Sequence, residues 1–185
     1  MNKTGTVTLE TNRLTLRRFT PADAQDMFDN WASDPTVTRF LTWPAHPSVE
    51  VTGRVIADWV KAYESGEYFN WAIALKDSGR VIGNIAVVNL NESADAAEIG
   101  YCLGRAYWNR GIMTEALKVV TCYLFDTVGL NRVAACHDAN NPASGRVMEK
   151  AGMKTEGILR QSQRNNSGIC DAVWHSIVRS DIEKQ

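Results

Sequence analysis

The chain lacks most of the marks of a metal protein, a disulfide-stapled domain, a membrane protein or a nucleic-acid binder. Its four cysteines, Cys102, Cys122, Cys136 and Cys170, form no CxxC pair, and its three histidines, His46, His137 and His175, stand at no ligand spacing. No metal site is expected, and the thiols read as buried side chains in a reducing compartment. Lys and Arg total 20 against 21 for Asp and Glu, so the net charge of -1 supplies no overall field for drawing in nucleic acid or an anionic membrane. Apolar runs last only a few residues, and the opening MNKTGTVTLE has no apolar core of a signal peptide. Neither a membrane span nor export is expected, which makes the cytoplasm the expected address.

What is present suits one domain over 1–185, since 44% hydrophobic and 22% charged residues leave no tract that must stay unfolded. NRLTLRRF (12–19) alternates Leu14 and Leu16 with polar neighbours, as a half-buried strand does. Thr20 then caps a helix that has Pro21 at its first position, Asp23 three residues past the cap, and Ala24, Met27, Phe28 and Trp31 on one face. DPTVTRFLTWPAHPS (34–48) carries three of the five prolines and reads as a loop, either a lid over a pocket or an aromatic-anchored part of the core. Ser48 caps a second helix with the stripe Val51, Val55, Trp59 and Tyr63, ended by Gly66.

From residue 68 the period shortens to that of strands. YFNWAIAL, a DSG turn and RVIGNIAVVNL form a hairpin, and AAEIGYCLG a third strand. The next helix is strongly amphipathic through Ala116, Leu117, Val120, Leu124 and Val128 before Gly129, and RVAACH (132–137) is a short apolar strand. A right-handed helical crossover would pair strands 96–103 and 132–137 in parallel. A helix from Ala143 to Ala151 buries Val147 and Met148, and the remainder reads as a closing pair of strands. The fold class is α/β: a mixed, mostly antiparallel sheet of about seven strands with helices on both faces.

YWNRGIMTEAL (107–117) joins the third strand to the amphipathic helix. In a βαβ unit this loop delivers a helix N-terminus, with its unpaired amides and positive dipole end, to the carboxyl end of the sheet. Gly111 removes a Cβ there and Arg110 adds a charge. No Walker loop and no three-glycine dinucleotide fingerprint is present. By itself the stretch is either an anion site or a plain helix entry.

Together, LETNRLTLRRFTPADAQDMF, AEIGYCLGRAYWNRGIMTEAL and LNRVAACHDANNPASGRVMEKAGMKTEG resemble the GNAT superfamily of acetyl-CoA-dependent N-acetyltransferases, and within it the RimJ/RimL group that acetylates ribosomal-protein N-termini. The resemblance spans nearly the whole chain. It implies a GNAT fold splayed at the parallel pair, with acetyl-CoA as co-substrate and no metal. The family's Q/R-x-x-G-x-G/A pyrophosphate turn falls on Trp108, Asn109, Arg110, Gly111, Ile112 and Met113; Gly111 matches, whereas Trp108 and Met113 depart from the pattern. Thr114 can add a hydroxyl. Pantetheine would lie against the backbone of Tyr101, Cys102 and Leu103 and of Ala134 to Cys136, with an oxyanion-binding amide near Cys102. Asn141 and Ser144 match the family's NxxS segment, which implies that Asn141 contacts pantetheine and that Ser144 can protonate the departing thiolate. The residues alone read equally as a helix cap.

Acetyl transfer needs a neutral amine, a polarised carbonyl and a protonated leaving group. Glu98, beside the splay, is the candidate general base; it also reads as a holder of the cationic amine or as a structural partner of Arg105 or another cation. Glu156 and Asp171 are downstream candidates, and Gln163 lies near them but cannot titrate. The acceptor is expected to be a protein or peptide N-terminus, or else a small amine such as a polyamine, amino acid or antibiotic; a non-catalytic CoA-binding module is the third reading. A homodimer is implied by the family resemblance alone.

Overall fold

The computed structural model describes residue 2 and residues 4–182. In chain order the elements are β1 (Leu9–Glu10), β2 (Leu14–Arg17), α1 (Ala24–Met27), α2 (Pro35–Thr38), α3 (Val49–Ala62), β3 (Asn70–Leu75), β4 (Val81–Asn91), β5 (Ala96–Leu103), α4 (Ile112–Tyr123), β6 (Arg132–Asp138), α5 (Pro142–Lys150), β7 (Lys154–Asn165), β8 (Gly168–Val178) and α6 (Arg179–Ile182). The strands make one sheet in the order β1-β2-β3-β4-β5-β6-β8-β7. The strand beyond the expected seven is β1, a two-residue piece pairing Leu9 with Leu16, too short to announce itself by alternation.

Period-2 alternation splits the apolar residues between two cores, one on each face. Trp71 and Ile73 of β3 join Leu14, Leu16, Ile85 and Ile99 under α4 and α5, while Ala72 and Ala74 join Phe19, Met27, Trp31 and Ile56 under α1 to α3. All five stripe residues expected on the crossover helix, from Ala116 to Val128, are buried. The helix extends through a π-helical turn, Leu124–Val128, and ends at Gly129 with φ 85°. Thr20 and Asp23 form the reciprocal capping box expected from their spacing.

Two expectations need correction. On α3 the buried residues are Thr52 and Ile56, followed by Tyr63 just past its end, while Val51, Val55 and Trp59 are half-buried. The helix is turned by one residue because Thr52, polar by type, is satisfied internally: its hydroxyl lies 2.8 Å from His46 Nδ1. On α5 the buried positions are Gly145 and Met148, with Val147 only half-buried.

The feature that matters for function is the parallel pair. β5 and β6 are in register only over Ala96–Glu98 and Arg132–Ala134. Beyond that β5 runs to Leu103 paired with β4, and β6 to Asp138 paired with β8. The divergence starts where the β4–β5 register shifts, between Val87 and Asn89. An inserted residue sharpens local twist and bends a strand. Val88 is that extra residue, and it sits over Gly100, where a Cβ would meet Val88 Cγ1 at 2.9 Å. The result is a V-shaped gap open at the carboxyl ends of two parallel strands.

Candidate active site

The gap exposes backbone in a defined pattern. Gly104 N–H donates to Ile82 C=O at 2.8 Å, and with Asn84 opposite Cys102 the antiparallel alternation turns the amide and carbonyl of Cys102 toward β4. Those of Tyr101 and Leu103 therefore face the gap. The amide of Cys102, near which an oxyanion donor is expected, thus faces β4 and not the gap, and Cys102 itself is buried, its thiol pushed up to about 12 by desolvation. On the other lip, Ala139 N–H donates to Asp171 C=O at 3.0 Å, so Ala134 and Cys136 turn their backbone groups toward β5. Both lips thus hold strand-like donors and acceptors without a strand between them.

At the open end, the turn of residues 108–114 meets α4. Asn109 and Gly111 have φ of 60° and 72°. The first helical bond runs from Glu115 N–H to Gly111 C=O at 3.0 Å, so the amides of Ile112, Met113 and Thr114 have no acceptor in the helix. The Ile112 and Met113 side chains are in the core, which leaves those residues only their amides to offer a ligand. The Trp108 indole donates to Leu103 C=O at 2.7 Å and ties the turn to the end of β5. Arg13, which sequence reasoning passed over, holds the turn from outside. It donates to Arg110 C=O at 2.9 Å and pairs with Glu115 at 2.6 Å, offsetting the one acidic residue in the first turn of α4. Only its position before Leu14 on a neighbouring strand could have flagged it.

Glu98 lies at the vertex of the V. Strand alternation sends it, with Cys136 of β6, to the face covered by α1 to α3. Burial raises its pKa above the ordinary carboxylate value, and the Cys136 thiol donates to its Oε1 at 3.7 Å. That thiol is itself pushed up to about 12, by burial and then by the Glu98 charge. Arg105 is not the partner of Glu98; it pairs with Asp34 at 3.1 Å. The downstream acids are committed elsewhere. Glu156 bonds Arg132 at 2.6 and 2.5 Å and Ser176 at 2.7 Å, which hold its pKa at about 2. Asp171 accepts the Gln161 amide at 2.8 Å in the β7 bulge.

Ser144 approaches the gap from the opposite face, on α5. Its hydroxyl is 2.9 Å from that of Tyr101. Asn141 is the N-cap residue of α5, yet its side chain makes no capping bond. The helix rests on a histidine pair. His137 Nδ1 faces the Asp138 carbonyl at 2.8 Å, so it carries the proton and Nε2 accepts from His175 Nε2 at 3.2 Å; His175 Nδ1 then accepts from Thr155 at 3.2 Å. This chain requires both rings neutral. Burial, and then the His137 charge, lower the His175 pKa below 6.5, with Glu149 and Glu156 opposing weakly. The unfolded chain therefore binds protons more readily than the folded one. Stability is unaffected well above 6.5 and is lost as pH falls through that value toward the lower folded pKa. Thermal melting is expected to drop as pH falls below about 6.5, and His175→Gln to flatten that drop; an equally steep fall in the variant would locate the titration elsewhere.

The loop 34–48 is no free lid. It contains the short helix α2, capped by Asp34 accepting from Thr36 N–H at 2.8 Å, and its far end is strapped to the β7–β8 turn. Asn166 Nδ2 donates to Thr38 C=O at 2.8 Å and to Trp43 C=O at 2.7 Å.

Residues 13–154 match the family model described as Acetyltransferase (GNAT) domain. The chain belongs to the GNAT acetyltransferase family. It is 33% identical over 171 residues, 92% of this chain and 96% of the relative, to the uncharacterized N-acetyltransferase YoaA of Bacillus subtilis (strain 168). It is 25% identical over 162 residues, 83% of this chain and 81% of the relative, to the [Ribosomal protein uS5]-alanine N-acetyltransferase of Escherichia coli (strain K12). Among solved structures, RimL, a ribosomal L7/L12 alpha-N-protein acetyltransferase in complex with coenzyme A, superposes with a TM-score of 0.82 at 18% identity, over 93% of this chain and 98% of that one. This GNAT domain is therefore an N-acetyltransferase with acetyl-CoA as its donor. Among the described residues, no group of three or more His, Cys, Asp or Glu side chains could hold a metal ion, and no helix is long and apolar enough to cross a membrane.

Proposed function

We propose that the chain, acting as one domain, acetylates the N-terminal α-amino group of a protein or peptide. The observation that carries this reading is Glu98: a carboxylate at the gap, raised by burial, with no cationic partner among its hydrogen bonds. An α-amine, with a pKa of about 7.7 to 8.0, is roughly one-tenth neutral at pH 7, whereas a lysine near 10.4 is neutral less than about one part in a thousand. A single modest base suffices for the first. The similarity to a uS5-alanine N-acetyltransferase supports the same acceptor. A polyamine would need carboxylates free to meet several ammonium groups, but Asp138 accepts from Asn140 and Asn165, and Asp171 accepts from Gln161.

In this reading pyrophosphate is held by the amides of Gly111 to Thr114, and pantetheine by Tyr101 and Leu103, by Ala134 and Cys136, and by Asn141. The amine nitrogen attacks the acetyl carbon from the Glu98 face. The negative charge on the carbonyl oxygen meets a gap-facing amide of β5. As the C–N bond forms and the C–S bond breaks, the electron pair leaves on sulfur, where Ser144 O–H donates a hydrogen bond, and the nitrogen proton ends on Glu98. Thiol release from acetyl-CoA, measured against N-terminal peptides, polyamines and aminoglycosides, tests the acceptor. Turnover is expected with peptides, and faster turnover with either small-amine class would overturn the assignment.

A further inference from the structure

Past Glu98 and Ala134 the two lips of the gap have no backbone pairing, yet a side chain crosses between them. Tyr101, on β5, reaches Ser144, on the helix that follows β6: its hydroxyl is 2.9 Å from Ser144 Oγ and 3.1 Å from Ser144 C=O. The ring packs against the core under α4 and α5, which fixes the oxygen. Sequence reasoning used Tyr101 for its backbone only.

The phenol has one proton to give. A carbonyl can only accept, so when Tyr101 donates to Ser144 C=O, its oxygen is free to accept the Ser144 proton. When Tyr101 donates to Ser144 Oγ instead, that proton is released. The two patterns interchange by rotating two hydroxyls, without moving a heavy atom. Burial raises the Tyr101 pKa well above the ordinary phenol value, so the group stays a neutral donor beside a developing thiolate.

Building on the proposed role of Ser144, we infer that Tyr101 is a positioning residue for leaving-group departure: it holds Ser144 Oγ at the lip of the gap and becomes its donor when Ser144 turns its proton toward sulfur. No bond to Tyr101 is made or broken, and no proton leaves it.

The test is a double-mutant cycle on the intact enzyme, Tyr101→Phe and Ser144→Ala, reading kcat, the acetyl-CoA KM and melting temperature. Each single change is expected to lower kcat about tenfold, the size of one hydrogen bond to a charge-bearing group, with the acetyl-CoA KM unchanged. The double variant should be no slower than Ser144→Ala. Multiplying losses would overturn the inference. So would a Tyr101→Phe enzyme with full kcat beside an impaired Ser144→Ala, or one whose only defects are a raised KM and a lowered melting temperature. Full activity in Ser144→Ala would remove the role of Ser144 itself, and the inference with it, while leaving acetyl transfer intact.

Discussion

Glu98→Gln is expected to lower kcat/KM at neutral pH by about one to two orders of magnitude while leaving acetyl-CoA affinity nearly unchanged. The substitution keeps shape and burial and removes the negative charge together with the capacity to accept a proton. Affinity should persist because Glu98 projects to the α1–α3 face, whereas the turn proposed to hold pyrophosphate lies at the far end of β5. The pH profile is the sharper readout. In the wild type, kcat/KM should fall on the acid side as Glu98 protonates, at a pH above the ordinary carboxylate value because burial raises its pKa. The limb due to the acceptor amine, near 8, belongs to the substrate and survives in both enzymes. Loss of the lower of these two acid-side limbs, with the amine limb left in place, identifies the base; an unchanged profile removes Glu98 from that role. Glu156, fixed by Arg132 at about 2, cannot replace it near neutrality.

The second large effect is expected at the turn. Gly111→Val should raise the acetyl-CoA KM about tenfold or more with kcat at saturation little changed. Gly111 has φ 72°, where an L-residue pays about 1–2 kcal/mol and a β-branched one more. A Cβ there meets nothing closer than Arg13 Nη2 at 3.7 Å, so the cost is in the backbone and not in crowding. If the turn relaxes toward negative φ, the amides of Ile112, Met113 and Thr114 lose their common aim. Calorimetric titration with coenzyme A checks this, with a melting curve to show that α4 is intact. Unaltered coenzyme A affinity would make the stretch a plain helix entry.

Much of this was legible in the residues. The βαβ unit followed from a long apolar stripe ending in Gly129, and the turn from one glycine before that stripe; both are local patterns that packing had no reason to override. Thr20 with Asp23, and Gly66, behaved as caps because capping is decided within one turn of helix. The reading failed where a neighbour distant in sequence intervened. Thr52 could be buried on α3 only because His46 meets it, and Arg105 turned to Asp34 and not to Glu98. The roles of Arg13 and of the Tyr101 hydroxyl rest on partners 102 and 43 residues away.

The sequence by itself therefore determined the class of chemistry: several short segments in a fixed order resemble the GNAT family, and that resemblance, not the helix terminus alone, pointed to acetyl-CoA before any coordinate was known. Only the tertiary structure decided which groups line the gap. The bulge at Val88 opens the sheet beside Glu98, strand alternation sends Glu98 to one face of that opening while the packing of α5 brings Ser144 to the other, and ion pairs withdraw Glu156 and Arg105 from it. Such choices depend on which lips diverge and which charges find partners first, and these are long-range packing outcomes that no spacing along the chain records.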